Sequence, residues 1–546
     1  MLGEVHVRPG GDYIHVMTQH VSGAELHGTV IDQLLGRPVD TRRWQARGSA
    51  AVRFVTPPPG VVTAVSGWDA VRADPHFMAG ELTLTPGGRV APLRSSGDRS
   101  SFVVATGATT REAVEAAERL AAAVRVEVDP DVDADVEGAG TGQAAPGHPD
   151  EDRLQALREA LPGIVRGGYF NSGYTGALCR PAHEAVGARA EHEYRNGRMG
   201  NAHRAEVARI LDDARRAVAE LIGTVPEQVA LTHHTTEAMN IVVHGLDWQP
   251  GDNAVTTRIE HKGGVLPLGV LRRRRGVELR AVAWDVLDPM DDLVRRLVEA
   301  IDDRTRIVAL SHVSYVNGGV VDLAPVVEAA HRHGALVLVD GAQAAGTIPV
   351  DVGALGVDAY AVSGQKWLCG PEDTGALYVH PDALDRIAQT YVGWASVTTW
   401  DVEGTFAPNP DVSRFEVGTR SVPLIAGFAA AIRWLLDDVG LDWAVGRTYA
   451  LAELARKELR DRAGAVVLTP GEHAGLVSFR VGAAPDPLVA WLGERGTTVR
   501  SIYGYDCVRA SIGWFHTEDE VARLVDDVIR GARAVGAVAG AGASRA

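Results

Sequence analysis

The sequence predicts an α/β chain built around a mainly parallel sheet, with a small α+β module ahead of it and a smaller α+β lobe behind. Two observations carry this prediction. From about residue 153 onward, helical patterns such as RAEVARILDDARRAVAELI and LAPVVEAAHRHG alternate with short apolar runs, RIVALSHV, ALVLVD and AYAVSG. Alternation of this kind signals βαβ units, in which the helix carries the chain back so that successive strands lie parallel. Before that, residues 51–128 mix β-branched runs (AVRFV, GVVTAVSG, SSFVVAT) with turn sequences (PPPG, TPGG) and close on one amphipathic helix, TTREAVEAAERLAAAV. That is the pattern of a compact α+β module.

Taken in order, residues 1–128 form the first module. Residues 129–152, DPDVDADVEGAGTGQAAPGHPDED, are acidic, rich in Gly, Ala and Pro, and free of aromatic side chains, which predicts a flexible linker. Residues 153–535 hold the α/β unit. A break near Pro408 to Arg420 separates its sheet from later helices, a GLVSFRV strand and a TEDEVARLVDDVIRGARAV helix, so the smaller lobe starts at about residue 420. The last stretch, GAVAGAGASRA at 536–546, reads as an unstructured tail. No internal repeat is present.

Composition narrows the function classes. With 54 Lys and Arg against 70 Asp and Glu, the formal charge is −16, which disfavours nucleic acid or an anionic membrane as partner. No apolar run approaches the roughly 18 to 20 residues of a membrane span, and the start lacks a basic stretch followed by an apolar one, so a cytoplasmic location is expected. The three cysteines, Cys179, Cys369 and Cys507, are too few and scattered for a disulfide framework, and none stands in a CxxC pair that would suggest a metal site.

The chemistry gathers where strands end, the edge at which open α/β sheets bind ligands. ALVLVD ends on Asp340, with Gln343 one turn on. AYAVSG runs into Ser363, Gly364, Gln365 and Lys366. ALTHHTTEAMN places Thr235 and Thr236 at a predicted helix start. An amine, a carboxylate, and hydroxyls with free backbone N–H groups are what pyridoxal phosphate requires: a lysine to bond it, an acid for the pyridine nitrogen, and a phosphate seat. An aspartate after a strand also caps helices, and isolated histidines such as His233, His234 and His312 are commonly surface or hydrogen-bonded core groups. The run Arg272 to Arg275 reads as a solvated helix end.

On TTEAMN, IEHKGGVLP, TRIVALSHVSYVNGG, VLVDGAQAAGTIPVDV, VSGQKW, RFEVGT and RASIGWFHTEDEV, in that order, residues from about Arg153 to Val535 resemble a class V, cysteine desulfurase-like pyridoxal-phosphate enzyme of fold type I. The resemblance implies a mainly parallel seven-stranded sheet with a small C-terminal lobe. Within the class, YFNSGYTGAL, GLDWQPGD, TYVGW and VRSIYGYDCVRAS are more similar to the L-cysteine/cystine carbon–sulfur lyases than to the persulfide-forming desulfurases. By position, the resemblance makes Lys366 the Schiff-base lysine and proton shuttle, Asp340 the partner of the pyridine nitrogen, Gln343 the partner of the ring phenolate oxygen, and His261 the group stacked on the ring. Thr235, Thr236, Ser363 and Gln365 would hold the phosphate, with Thr419 reaching across from a second subunit, which implies a homodimer with its active sites at the interface. Arg500 and Arg509 would grip the substrate α-carboxylate, since a planar guanidinium matches a carboxylate better than an ammonium does. Tyr315 falls near the substrate, where desulfurases have an asparagine, and Gln365 stands where the family often has histidine.

These departures point to the reaction. A persulfide-forming enzyme needs a cysteine on a mobile loop ahead of the carboxylate-binding arginine, and the interval SIYGYDCV between Arg500 and Arg509 is too short for one. Cys507 is therefore read as structural, and the expected reaction is β-elimination on a small amino acid: cysteine, cystine or a cysteine S-conjugate, giving pyruvate, ammonia and a thiol or persulfide. The alternatives are epimerisation, transamination or desulfuration at the same site, or a non-catalytic scaffold.

The first 128 residues resemble the C-terminal part of an ATP-grasp carboxylate–amine ligase. In EVHVRPGGDYIHVMTQHVSGAEL, Glu4, His6 and Arg8 stand at the positions of that family's magnesium-binding acid, asparagine and substrate arginine, with His6 replacing the usual asparagine; TPGGRVAPLRSSGDRSSFVVATGATTREAVEAAERL resembles the tail that follows. The nucleotide-binding lobes of such a ligase would precede Met1, so a docking or dimerisation role is expected, with an ATP-grasp ligase as candidate partner.

Overall fold

The computed structural model describes residues 21, 48–58, 60–86, 89–90, 101–129, 149–165 and 168–543. The chain divides into two compact units, Met1–Pro146 and Gly147–Ala546. Glu4, His6 and Arg8 lie outside the described residues, as do 130–148 of the predicted linker.

In the first unit, Ser101–Gly107 is the centre of a three-stranded antiparallel sheet between Ser49–Val55 and Phe77–Leu82, and Gly60–Ser66 is the centre of another, between Arg89–Val90 and Arg125–Asp129. The helix Thr110–Ala123 starts on a capping box, in which Thr109 and Glu112 satisfy each other's backbone N–H groups. Its stripe of Ala113, Ala116, Ala117 and Leu120 is buried, and its small residues let helix and sheet approach closely. Asp129 closes the last strand, opposite Val61, and a helix begins at Pro149, so both ends of the predicted linker are shorter than composition suggests.

The second unit is organised by a sheet of seven strands: β1 (Val229–Thr232), β2 (Asn253–Thr257), β3 (Glu278–Val282), β4 (Thr305–Ser311), β5 (Leu336–Asp340), β6 (Ala359–Ser363) and β7 (Gly375–Val379). Their spatial order is β3-β2-β4-β5-β6-β7-β1, with β7 antiparallel to both of its neighbours and every other pairing parallel. Strand β5, LVLVD, is buried along its whole length, as expected of a strand covered by helices on both faces. The two layers of side chains that cover the sheet form separate apolar clusters, one around Val337, Val339 and Val362, the other around Leu336, Leu338 and Ala361. Period two along the strands makes that division.

Two helices lead into the site: α1 (Thr235–Gly245), after β1, and α2 (Lys262–Arg275), after β2. The four arginines Arg272 to Arg275 form the last turn of α2, where positive charge complements the helix dipole. The lobe adds a four-stranded antiparallel sheet in the order β8 (Val466–Val467), β9 (Leu476–Arg480), β11 (Cys507–Ser511), β10 (Arg500–Ile502). A final helix, α3, spans Glu518–Ala543. It continues past the expected start of a tail at 536: alanine is the strongest helix former, and Ala537, Ala539, Ala541 and Ala543 offset the interspersed glycines.

Candidate active site

The ends of β1, β4, β5 and β6 share one edge of the sheet, and the predicted groups meet there in a cavity of about 320 Å³. Thr235, Thr236, His261, Tyr315, Asp340, Gln343, Ser363, Gln365, Lys366, Arg500 and Arg509 all line it. Thr419 does not. It lines a separate, larger cavity of about 1030 Å³ beside Trp394 and Arg420, so within one chain it is not brought to the site.

Lys366 follows the end of β6, and burial, opposed by Asp340 and reinforced by Arg509 and Arg500, brings its amine down to about 8. A base so lowered is neutral in a larger share at physiological pH, which is the form that attacks a carbonyl. In the cofactor-free protein, the rate of pyridoxal-phosphate capture is therefore expected to rise with pH and to level off above about 8, as followed by visible absorbance. A flat profile from pH 6.5 to 9 contradicts this.

Asp340 is buried at the end of β5, and its Oδ1 accepts from Ala342 N at 2.9 Å. Gln343 is held from two sides: Trp367 Nε1 donates to its Oε1 at 2.8 Å, and its Nε2 donates to Gly173 O at 2.8 Å. One N–H of that amide remains for a ligand. Gly173 is required where it stands, because a Cβ would meet Leu476 Cδ2 at 2.7 Å and Ser511 Oγ at 3.0 Å.

His261 caps α2, its Nδ1 accepting from Gly263 N at 3.1 Å, so the neutral ring carries its proton on Nε2. Burial, then Lys366, hold it below the ordinary imidazole range; its open side toward the cavity lets solvent screen part of the effect. The ring meets Tyr315 edge-on, with centroids 5.4 Å apart. Next to it in the chain is Glu260, which nothing in the sequence pattern singles out. Thr257 Oγ1 donates to its Oε1 at 2.7 Å, while Ser311 N and Oγ donate to its Oε2 at 3.0 and 2.5 Å. These bonds tie the ends of β2 and β4 together; burial outweighs them and pushes the carboxyl up to about 7.

The N-terminus of α1 opens into the cavity, and the backbone N–H groups and dipole of a helix start favour an anion. His234 is the cap, its Nδ1 accepting from Glu237 N at 3.0 Å, and it lines the cavity; His233 pairs with Glu237 instead. Thr235 Oγ1 is buried without a hydrogen-bond partner. An orphaned buried hydroxyl at a helix N-terminus fits a phosphate oxygen. Ser363 Oγ donates to Gln365 Oε1 at 2.7 Å, which turns the Gln365 amide N–H groups outward as donors. The residues present thus fit pyridoxal phosphate. Thr235→Val is expected to weaken cofactor binding about fivefold, one hydrogen bond's worth, while leaving the cofactor-free protein at least as stable. Equilibrium dialysis and thermal melts measure the two effects.

Arg509, on β11, is 1% exposed. Its Nη1 donates to Tyr315 O at 2.6 Å, whereas Nε and Nη2 are buried without partners. Burial, with Arg500 beside it, drags the guanidinium down to about 9. A charged fork with one edge unsatisfied has the geometry to take a carboxylate through two hydrogen bonds. Arg500 stands with its guanidinium 5.0 Å from the centre of the Tyr174 ring. Tyr174, Ile502, Tyr503 and Lys262 complete the wall, and none was named from the sequence.

Cys507 does not line the cavity. All three cysteines are buried free thiols; burial pushes Cys179 and Cys507 up to about 11 and Cys369 higher still. His312 is a core group, as expected, with its Nδ1 3.0 Å from Tyr360 Oη.

Comparison with known proteins agrees with this geometry. Residues 169–524 match the family model "Aminotransferase class-V", and residues 53–129 match "L-amino acid ligase C-terminal domain 2". A cysteine desulfurase of Haloferax volcanii is 33% identical over 364 residues, covering 62% of this chain and 84% of that protein. A probable cysteine desulfurase of Pseudomonas aeruginosa is 34% identical over 357 residues, covering 61% and 86%. Among solved structures, the cystine C–S lyase C-DES in complex with cysteine persulfide aligns with a TM-score of 0.64 at 32% identity, over 68% of this chain and 99% of that one. The apo cysteine desulfurase of Thermococcus onnurineus aligns with a TM-score of 0.63 at 26% identity, over 70% and 98%. With its strand order, its lysine and acid gathered in one cavity, and a family match over most of its length, the chain belongs to the aminotransferase class V family, as a pyridoxal-phosphate enzyme of the cysteine desulfurase-like branch with an ATP-grasp ligase-like module ahead of it.

Proposed function

We propose that this enzyme cleaves the Cβ–S bond of cysteine, cystine or a cysteine S-conjugate by β-elimination, releasing pyruvate, ammonia and a thiol or persulfide. The observation that carries this reading is the missing acceptor. Pulling sulfur off as a persulfide takes a thiolate at the substrate, and all three thiols of this chain are buried, with Cys507 outside the cavity. The likeness to a cystine C–S lyase supports the same choice.

The cofactor, when bound, supplies an electron sink that makes the substrate α proton removable. The protein does the rest. Arg509 holds the α-carboxylate through Nε and Nη2, which fixes the orientation of Cα. Lys366 takes the α proton, and its lowered basicity suits it to give one back near neutral pH. With the cofactor in this cavity, Asp340 would keep a proton on its pyridine nitrogen, Gln343 would donate to its ring oxygen, and His261 would stand against the ring. Loss of the sulfur substituent and hydrolysis then yield the products.

In the Cys507→Ala variant, pyruvate and sulfide release from L-cysteine are expected to stay within about twofold of wild type, as for a substitution away from the reacting atoms. Collapse of sulfide release in that variant favours a desulfurase. The homodimer belongs to the same reading, with Thr419 placed at the partner's phosphate seat. So does an adaptor role for the first module toward an ATP-grasp ligase; a pull-down by that module that recovers no ligase counts against it.

A further inference from the structure

We propose that the mouth of the cavity takes an aromatic sulfur substituent, so that the preferred substrate class is an S-aryl or S-arylmethyl conjugate of cysteine, with Tyr503 as the specificity-determining residue. The inference rests on the elimination reading and extends it from the bond cleaved to the group released.

Once Arg509 is given the α-carboxylate and Lys366 the α-amine position, the polar floor of the cavity is committed. The wall that remains for the substrate's own side chain presents the large side chains Tyr174, Ile502 and Tyr503 beside the cations Arg500 and Lys262. Tyr503 is 93% exposed and Tyr174 59% exposed, whereas the core tyrosines Tyr360 and Tyr378 are essentially inaccessible. Large apolar side chains left open at a ligand cavity are the usual furnishing of a pocket for an apolar group.

Tyr503 is also held in place with its own ring unengaged. It opens the turn Tyr503-Gly504-Tyr505-Asp506 between β10 and β11, in which Gly504 and Asp506 adopt positive φ of 85° and 46°. The turn is fastened from both sides. Tyr505 Oη donates to Arg258 O at 2.8 Å, while Arg480 donates through Nε to Asp506 O at 3.1 Å and through Nη2 to Tyr505 O at 2.9 Å. The backbone is pinned and the Tyr503 ring is left free at the rim. A tyrosine has few torsions to lose, so a ring presented on a rigid turn binds at little entropic cost. Tyr174 is braced in a different way, by the Arg500 guanidinium over its face. Two aromatic rings at one opening favour an aromatic guest, which gains stacking as well as burial.

Arg500 and Lys262 also line the cavity and raise the rival of an anionic substituent, such as the second carboxylate of cystine. Holoenzyme kinetics by pyruvate release separate the two, using S-benzyl-L-cysteine, L-cysteine and L-cystine with wild type, Tyr503→Phe and Tyr503→Ala. The expected result is a kcat/KM for S-benzyl-L-cysteine at least about tenfold above that for L-cysteine, preserved in Tyr503→Phe and lost mainly through KM in Tyr503→Ala. A wild-type ratio at or below one, with pyruvate still formed from L-cysteine, overturns this inference alone. An unchanged ratio in Tyr503→Ala overturns it too, as does a preference for L-cystine that Tyr503→Ala does not alter. Absence of pyruvate from all three substrates overturns elimination, and this inference with it.

Discussion

Lys366→Ala is expected to lower pyruvate formation by about a thousandfold or more, because in the proposed reaction this lysine is both the cofactor's covalent anchor and the base that works at Cα. No other described amine can stand in: Lys262 also lines the cavity, but it opens α2 beside the capping His261 rather than following β6. The variant should still bind pyridoxal phosphate, since the seat at the start of α1, Asp340 and Gln343 are untouched. Its visible spectrum should be that of the free aldehyde, shifted from the lysine-bound form. Cofactor retained, activity lost and spectrum changed is the expected combination. A variant that keeps more than about a tenth of wild-type turnover is incompatible with the role assigned to this lysine.

Arg509→Gln comes next, with an expected loss in kcat/KM of about a hundredfold or more, in line with the roughly 3 kcal/mol of a buried charged pair of hydrogen bonds. Arg509→Lys should recover little of this, because an ammonium cannot reproduce the Nε/Nη2 edge. An opposite effect on stability is expected in the absence of substrate. Burial, with Arg500 beside it, disfavours the charged form of Arg509, so keeping the guanidinium charged opposes folding. Removing it should raise the melting temperature of the unliganded enzyme at neutral pH, as followed by thermal melts. A residue that costs stability and is needed for turnover is the mark of a binding group. A variant that loses stability and keeps kcat/KM would make Arg509 structural.

Much of this site was legible in the sequence, because fold type I puts its chemistry at strand ends and helix starts. Asp340 closes the uninterrupted apolar run LVLVD, Lys366 follows AYAVSG, and Thr235 and Thr236 open a helix after a strand. Each position is marked by a change of periodicity, so the residue and its place in the fold can be read together. The arrangement that reaches beyond one element was not legible. Tyr174 and Tyr503 lie in turns, where no periodicity indicates which way a ring faces. Glu260 is one residue from His261, yet its bonds run to Ser311 across a strand pairing that the sequence does not state. The unpaired edge of Arg509 is visible only once its Tyr315 carbonyl partner is in place. Composition also misjudged the end of the chain, since an alanine-rich run with glycines looks unstructured by residue type but continues a helix already begun.

Elimination and thiol-mediated desulfuration leave different carbon products. Removing sulfur by thiol attack leaves a protonated Cβ and therefore alanine, whereas elimination leaves pyruvate and ammonia. The holoenzyme should be incubated with L-cysteine and with L-cystine, and alanine, pyruvate and ammonia quantified in the same samples. Pyruvate and ammonia in equal amounts, with alanine at background, is the result predicted from the buried thiols and the cavity they do not reach. Alanine matching the sulfur released, with a persulfide on Cys507, would contradict it.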